Sequence, residues 1–189
     1  MEEKVIYVVV GISAIIFLVS LGYLLKGSKQ ETNTRQLVKQ AMIATLYIAI
    51  TWVFRTISFQ AIQFRLSEAL LVLVLFNPKF VTGLTLGTFI ANVLLSDLGI
   101  IDWTLGTMAS LVSMLLMIKL KKNIGITLTI PAILNGIIIG LELTYLFNTP
   151  FIINSLSVFI GELAVMVIFG YGLYKGVESN KKFRQLISQ

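Results

Sequence analysis

Three glutamates, an arginine and an asparagine sit in stretches of this chain that are otherwise almost wholly apolar. In QFRLSEALLVLVLFNP (63–78), Arg65 and Glu68 stand directly before an uninterrupted apolar run. In PAILNGIIIGLELTYLF (131–147), Asn135 and Glu142 are seven residues apart, which places them on one face of a helix. In FIINSLSVFIGELAVMVIFGYGLY (151–174), Glu162 lies near the middle. Carboxylates in apolar surroundings accept hydrogen bonds from donor-rich molecules, hold cations or relay protons, and an arginine donates to acceptors. A carboxylate at the bilayer centre costs on the order of 3 kcal/mol, so it is rarely left facing lipid. The three glutamates and Asn135 are therefore expected to face one interior volume. Arg65 and Arg55 are the basic residues available at that depth, which leaves a surplus of carboxylate and suits a cationic or hydrogen-donor-rich ligand. Asp97 and Asp102 fall at the mouth of that volume, as solvated loop charges or as a helix N-cap before Trp103.

The rest of the composition narrows the chemistry. Of 189 residues, 57% are hydrophobic and 13% charged, and the mean hydropathy is +0.91. A soluble domain carries roughly a quarter charged residues, so this is an all-α, multi-spanning membrane protein. There is no cysteine and no histidine. That excludes disulfides, thiolate nucleophiles, Cys/His metal sites and every histidine-based triad. The GxxxxGK[ST] phosphate loop is absent as well, so the chain has no ATP engine of its own. It is expected to be no enzyme and to hold no cofactor. The net charge of +6 is spread over short segments between apolar runs, the pattern of cytoplasmic loops and not of nucleic-acid binding.

These residues must be positioned by helices. Val5 to Leu25 is uncharged and long enough to cross alone, which fits a retained helix better than the ~7–15-residue core of a signal peptide. KGSKQETNTRQLVK (26–39) is the one polar, linker-like stretch. The expected division is an extra N-terminal helix and basic linker over 1–34, then a six-helix membrane domain with a short basic tail over 35–189. The six segments are 37–58, 62–77, 79–96, 102–120, 127–147 and 152–174. Lysines and arginines alternate in phase with them: Lys26, Lys29, Arg35 and Lys39; Lys79; Lys119, Lys121 and Lys122; Lys175, Lys181, Lys182 and Arg184. Those loops are expected to be cytoplasmic and 59–64, 96–102 and 147–151 external, with Met1 outside and Trp52 and Trp103 near external ends.

Only about ten residues separate Glu68 from Lys79, too few to cross ~30 Å of hydrocarbon. The second segment must begin earlier and carry Arg65, Ser67 and Glu68 into the membrane, where the i,i+3 spacing lets Arg65 and Glu68 pair. Glu142 is expected about 22 Å along its helix from the cytoplasmic end, and Glu162 about 15 Å from its external end. Small residues form stripes at Ala41, Thr45 and Ala49, at Gly83, Gly87 and Ala91, and at Gly136 and Gly140, spacings that let helices approach closely. The residues alone leave three readings open: a binding subunit for uptake, a proton-coupled secondary transporter, and a structural membrane protein whose glutamates only tie helices together.

The blocks IQFRLSEALLVLVLFNPKFVTGLTLGTFIANVLL (62–95), IDWTLGTMASLVSMLL (101–116), PAILNGIIIGLEL (131–143) and FIGELAVMVIFG (159–170) resemble the queuosine-precursor transporter family. Its members are substrate-binding S components of energy-coupling factor (ECF) transporters. The likeness covers about residues 35–175, and the FRLSEAL and NGIIIGLEL blocks are its most specific parts. It implies a six-helix S-component bundle in the cell membrane with an externally facing pocket. It also implies a membrane coupling subunit and two ATPase subunits that use the ATP. The implied cargo is a 7-deazaguanine such as queuine or an aminomethyl or cyano precursor. On that reading Glu142 and Glu162 take the ring's donor edge and an amine, in either order, and Asn135 bonds a ring atom. Arg65 and Glu68 close the outer wall, and Phe64, Phe159 and Trp103 are stacking candidates. Ala41, Thr45 and Ala49 match the S-component stripe that meets the coupling subunit. Thr45 is bulkier than the alanine expected there, and the helix at 5–25 is an addition to the family's usual chain.

Overall fold

In the computed structural model, residues 34–59 and 63–188 are described, together with Tyr7, Gly11, Ile15 and Leu18. Those last four are helical; the remainder of the expected helix at 5–25 and the linker up to residue 33 lie outside the described residues. Every regular element described is a helix: α1 Thr34–Val53, α2 Arg55–Ser58, α3 Leu66–Leu75, α4 Phe80–Leu95, α5 Ile100–Lys119, α6 Ile124–Phe147, α7 Phe151–Ser179 and α8 Lys181–Ser188.

Four of these, α1, α5, α6 and α7, have the length and apolarity to cross a membrane. Both α3 and α4 are apolar but shorter. The second expected span is thus corrected. It is a 3₁₀ helix that starts at Leu66, so Ser67 and Glu68 lie within it while Arg65 precedes it. Ten residues wound as 3₁₀ reach about 20 Å, against about 15 Å as α-helix. The tighter winding stretches a short segment, and the interior spares it from matching the bilayer. All residues from Ser67 to Val74 are buried, as expected of a helix that is apolar on every side. It packs against α1, α4, α5 and α7.

Local chemistry sets the ends. Asn123 caps α6 by accepting from the Ile126 amide at 3.3 Å. Asn148 ends α6 in the left-handed conformation, with φ 52°, which asparagine tolerates better than most residues. Glycines then set how closely helices approach. A Cβ on Gly83 would stand 2.6 Å from the Gln40 carbonyl oxygen, and one on Gly87 would stand 3.0 Å from Ala44 Cα. The matched four-residue steps show that α4 runs parallel to α1. Between α6 and α7, Gly136 meets Phe159 and Gly140 meets Ser155, so those two run antiparallel.

Chain direction gathers Lys79, Lys119, Lys121, Lys122, Lys175, Lys181, Lys182 and Arg184 at one end of the bundle, the basic end. There α8 folds back. Asn77 Nδ2 donates to the Ile187 carbonyl at 2.7 Å, and Lys39 Nζ donates to the Leu186 carbonyl. The main core lies on this side, around Leu71, Val74, Phe80, Leu84, Met114 and Met117.

The α6–α7 contact is tight enough to predict a contrast. Gly140→Ala places a methyl 2.8 Å from Ser155 Cα and should destabilise the protein by about 1–3 kcal/mol. Gly176→Ala has open space around it and should be neutral or raise stability by up to about 1 kcal/mol. Thermal unfolding of the two variants in detergent measures the difference.

Candidate functional site

The buried charged residues come together on the side of the bundle away from the basic end. Glu68 sits in the first turn of α3 and is fully buried. Its Oε1 accepts from Tyr47 Oη of α1 at 2.5 Å and from Ser110 Oγ of α5 at 2.8 Å. Its Oε2 has no partner within the protein. Thr51 Oγ1 donates to Ser67 Oγ at 2.7 Å and fixes the start of α3 against α1.

Arg65 reaches the same region from the loop before α3. Gly161 makes this possible: any side chain there would collide with the Gln63 backbone, so the loop lies directly on α7 beside Glu162. Arg65 is 4% exposed, and its Cζ lies 4.9 Å from the centre of the Phe59 ring. Its Nε and Nη2 have no partner within the protein. The Arg65–Glu68 ion pair expected from their spacing is absent. Arg65 lies outside the helix with φ −85° and ψ 85°, and Glu68 is held by Tyr47 and Ser110. Instead Arg65 is shared electrostatically, acting on Glu68, Asp102, Glu162 and Glu142.

Asp102 departs from both sequence expectations for it. Gly99 precedes the first turn of α5, and Asp102 lies within that turn, 1% exposed. Both of its carboxylate oxygens lack a partner. Gly106, one turn on, leaves the room it occupies: a Cβ there would stand 2.5 Å from Asp102 Oδ1 and 2.8 Å from Asn92 Nδ2. Asn92 of α4 donates to the Asp102 carbonyl at 3.1 Å, joining the two helices. Asp97, by contrast, is exposed and pairs with Arg55 at 2.8 Å, and Arg55 Nε also donates to the Leu95 carbonyl at 3.0 Å. Arg55 is thus a surface residue, and Arg65 is the one buried cation among the described residues.

Glu142 and Glu162 are each 2% exposed. Neither Glu142 oxygen has a partner, and Glu162 Oε1 has none. Glu142 interacts electrostatically with Asp102, and Glu162 with Glu68. The register of α6 on α7 puts Glu162 level with Ile133, about 13 Å closer to the basic end than Glu142. Along α5, Asp102 and Ser110 are separated by about 12 Å in the same sense. The four carboxylates therefore form two tiers. Asp102 and Glu142 make an outer pair, Glu68 and Glu162 an inner pair, with the Arg65 guanidinium acting on both. Asn135, buried on the same face of α6 as Glu142, lies near the inner level.

Sequence reasoning found Arg65, Glu68, Asn135, Glu142 and Glu162 but passed over Tyr47, Phe59, Asn92 and Ser110 and misplaced Asp102. A signal was present: Asp102, Gly106, Ser110 and Ser113 recur at helical spacing along α5, as do Thr85, Thr88 and Asn92 along α4. Of the stacking candidates, Phe64, Phe159 and Trp103 are half-buried and Phe159 is pressed against Gly136; the ring over the guanidinium is Phe59. Phe59 also lines a cleft of about 290 Å³ with Arg55, Thr56 and Asp97. Among the described residues, no group of three acidic side chains is arranged to hold a metal ion. The small-residue stripes part company. Gly83 and Gly87 face α1, whereas Ala41, Thr45 and Ala49 are exposed. Thr45 Oγ1 donates to the Ala41 carbonyl at 2.9 Å, so its hydroxyl is satisfied within α1.

A sequence profile of the QueT transporter family matches residues 37–179. The chain is 29% identical over 154 residues to the "Queuosine precursor transporter QueT" of Lactococcus lactis subsp. cremoris (strain MG1363), an overlap of 74% of this chain and 90% of that protein. No solved structure matches the chain.

Removing the shared cation should be costly. Arg65→Met is expected to destabilise the protein by about 3–5 kcal/mol, because it leaves buried carboxylates uncompensated. Adding Glu142→Gln should recover part of that loss, so that the double variant is more stable than the two single losses predict. Denaturation of the four proteins in detergent gives this double-mutant cycle, and strict additivity would show that Arg65 does not neutralise Glu142.

Proposed function

This chain belongs to the QueT transporter family, and on that premise we propose that it is the substrate-binding membrane subunit of an ECF-type uptake transporter for queuosine precursors. The observation that carries this reading is the buried cluster itself. Glu68, Asp102, Glu142 and Glu162 surround one arginine and leave several acceptor oxygens unused inside an apolar bundle. Burying unpaired charge costs several kcal/mol per ion, and a donor-rich or cationic ligand offsets that cost.

A 7-deazaguanine meets this chemistry. One edge of its ring carries N–H and NH₂ donors, which a carboxylate accepts as a paired, charge-assisted contact. Glu142 and Glu162 take the donor edge and the amine of an aminomethyl or queuine-type arm, and Asn135 bonds a ring atom. Arg65 donates to the ring's acceptors, with Glu68 beside it closing the wall. Ligand enters at the end away from the lysines, which faces outward across the cell membrane, and the basic end is cytoplasmic. The exposed stripe at Ala41, Thr45 and Ala49 supports docking of the coupling subunit on α1, since small residues allow close helix approach in lipid. ATP is used by the two ATPase subunits beyond it. A proton-coupled carrier draws on the same unpaired carboxylates; uptake that survives loss of the ATPases and stops when the proton gradient is collapsed would select it.

Two measurements test the assignment. Glu142→Gln and Glu162→Gln should each weaken deazaguanine binding by roughly ten- to a hundredfold, the worth of a charge-assisted hydrogen bond, while Asp97→Asn changes it far less. Equal, small effects at all three positions would remove the pocket. Ala41→Leu and Ala49→Leu should impair co-purification with the coupling subunit and leave ligand binding in detergent intact; the reverse pattern would place the stripe in internal packing.

A further inference from the structure

The two tiers differ in what they have left to offer, and the difference assigns the two ends of the ligand. In the inner tier, Glu68 Oε1 is already occupied by the Tyr47 and Ser110 hydroxyls, which fix the plane of its carboxylate and leave Oε2 as an oriented acceptor. Glu162 adds Oε1 beside it. Such fixed acceptors suit a flat edge with N–H groups in set directions. In the outer tier nothing is occupied. Both oxygens of Asp102 and both of Glu142 lack partners, the residues are 1% and 2% exposed, and Asp102 acts electrostatically on Glu142. Two carboxyl groups held together in an apolar interior either hold protons or take a cation between them, and an ammonium meets the second case with its own donors. The one guanidinium present is shared with the inner tier, and its Nε and Nη2 are unpartnered.

We propose that Asp102, together with Glu142, forms an ammonium-binding outer subsite, and that the inner pair, Glu68 and Glu162, receives the ring's donor edge. This deepens, and rests on, the deazaguanine reading above. An ammonium carries three donors and a full positive charge, so it satisfies both outer carboxylates at once, which a neutral nitrile or methyl group does not. The backbone positions of the tiers are about 12 Å apart. A bicyclic base with a short amine-bearing arm is somewhat shorter than that separation, so side chains reaching inward from both levels could contact its two ends. Gly106 belongs to the device, because it lets the Asp102 carboxylate lie back along α5 instead of pointing out of the bundle. Asp102 is thereby a determinant of specificity for amine-bearing precursors.

The test compares 7-aminomethyl-7-deazaguanine with its 7-methyl analogue by calorimetric titration of the purified full-length chain in detergent. The unmodified protein should bind the aminomethyl compound at least tenfold more tightly. Asp102→Asn should remove most of that advantage while weakening the methyl compound less than threefold, whereas Glu162→Gln should weaken both to a similar degree. Because the first comparison needs no variant, it holds even where Asp102→Asn does not fold; N-acetylation of the aminomethyl arm should then erase the advantage on the unmodified chain. Equal affinity of the unmodified chain for the two compounds overturns the ammonium subsite and leaves the deazaguanine reading standing. A uniform loss for both in Asp102→Asn removes Asp102 from it. Binding of neither compound by the unmodified chain overturns the deazaguanine reading itself.

Discussion

A single guanidinium acting on four buried carboxylates is the interaction around which this protein is arranged. Arg65 is the one buried cation among the described residues, and Glu68, Asp102, Glu142 and Glu162 all lie within its electrostatic reach. In an interior of low dielectric, such a group neither repels itself apart nor dissolves in lipid only because the helices carrying it are held in place by other contacts. The glycine at 161 seats the Arg65 loop on α7, the ring of Phe59 covers the guanidinium, and two hydroxyls orient Glu68. The site is thus tied to backbone packing, and one guanidinium cannot satisfy every acceptor atom of four carboxyl groups.

The backbone around this group departs from regular α-helix in two places that touch. The 3₁₀ helix α3 packs against the π stretch Met166–Gly170 of α7, which begins four residues after Glu162. A 3₁₀ helix is narrower and longer per residue than an α-helix, and a π turn is wider, so the pair exchanges width for width at one level of the bundle. Irregular winding at membrane depth is tolerated where protein surrounds it, and α3 is buried from Ser67 to Val74. Glu68 is carried into the interior by this enclosure, which removes the need for α3 to face lipid at all.

Small residues serve two ends in the same fold. Gly83 and Gly87 take α1 against α4 at backbone distance, and Gly136 and Gly140 do the same for α7 against α6. Those contacts determine which faces of α4 and α6 point inward, and so where Asn92 and Glu142 lie. The stripe at Ala41, Thr45 and Ala49 points the other way, on a helix whose only buried residues are Tyr47 and Thr51. This helix thus gives the buried cluster Tyr47 from one face and leaves its small residues exposed on another.

The sequence by itself determined the solvent, the helical class, the placement of the basic end and all but one of the buried charged residues. Each of these follows from local quantities: the length of apolar runs, the phase of the lysines, and the cost of leaving Glu142 or Glu162 in lipid. Asn135 and Glu142 shared a face because seven residues are two helical turns, and the structure keeps them so. Tertiary structure decided the rest. Spacing offered Glu68 a partner three residues away, but α3 begins after Arg65, and Glu68 turned to α1 and α5 instead. Asp102 read as a surface charge because its neighbours in sequence are a turn; its neighbours in space, Gly106 and Asn92, make it interior. Which small-residue stripe faces inward, which aromatic ring covers the arginine, and which carboxylates share a tier all depend on the register between helices. Register is set by contacts between residues far apart in the chain, and no pattern within one helix contains it.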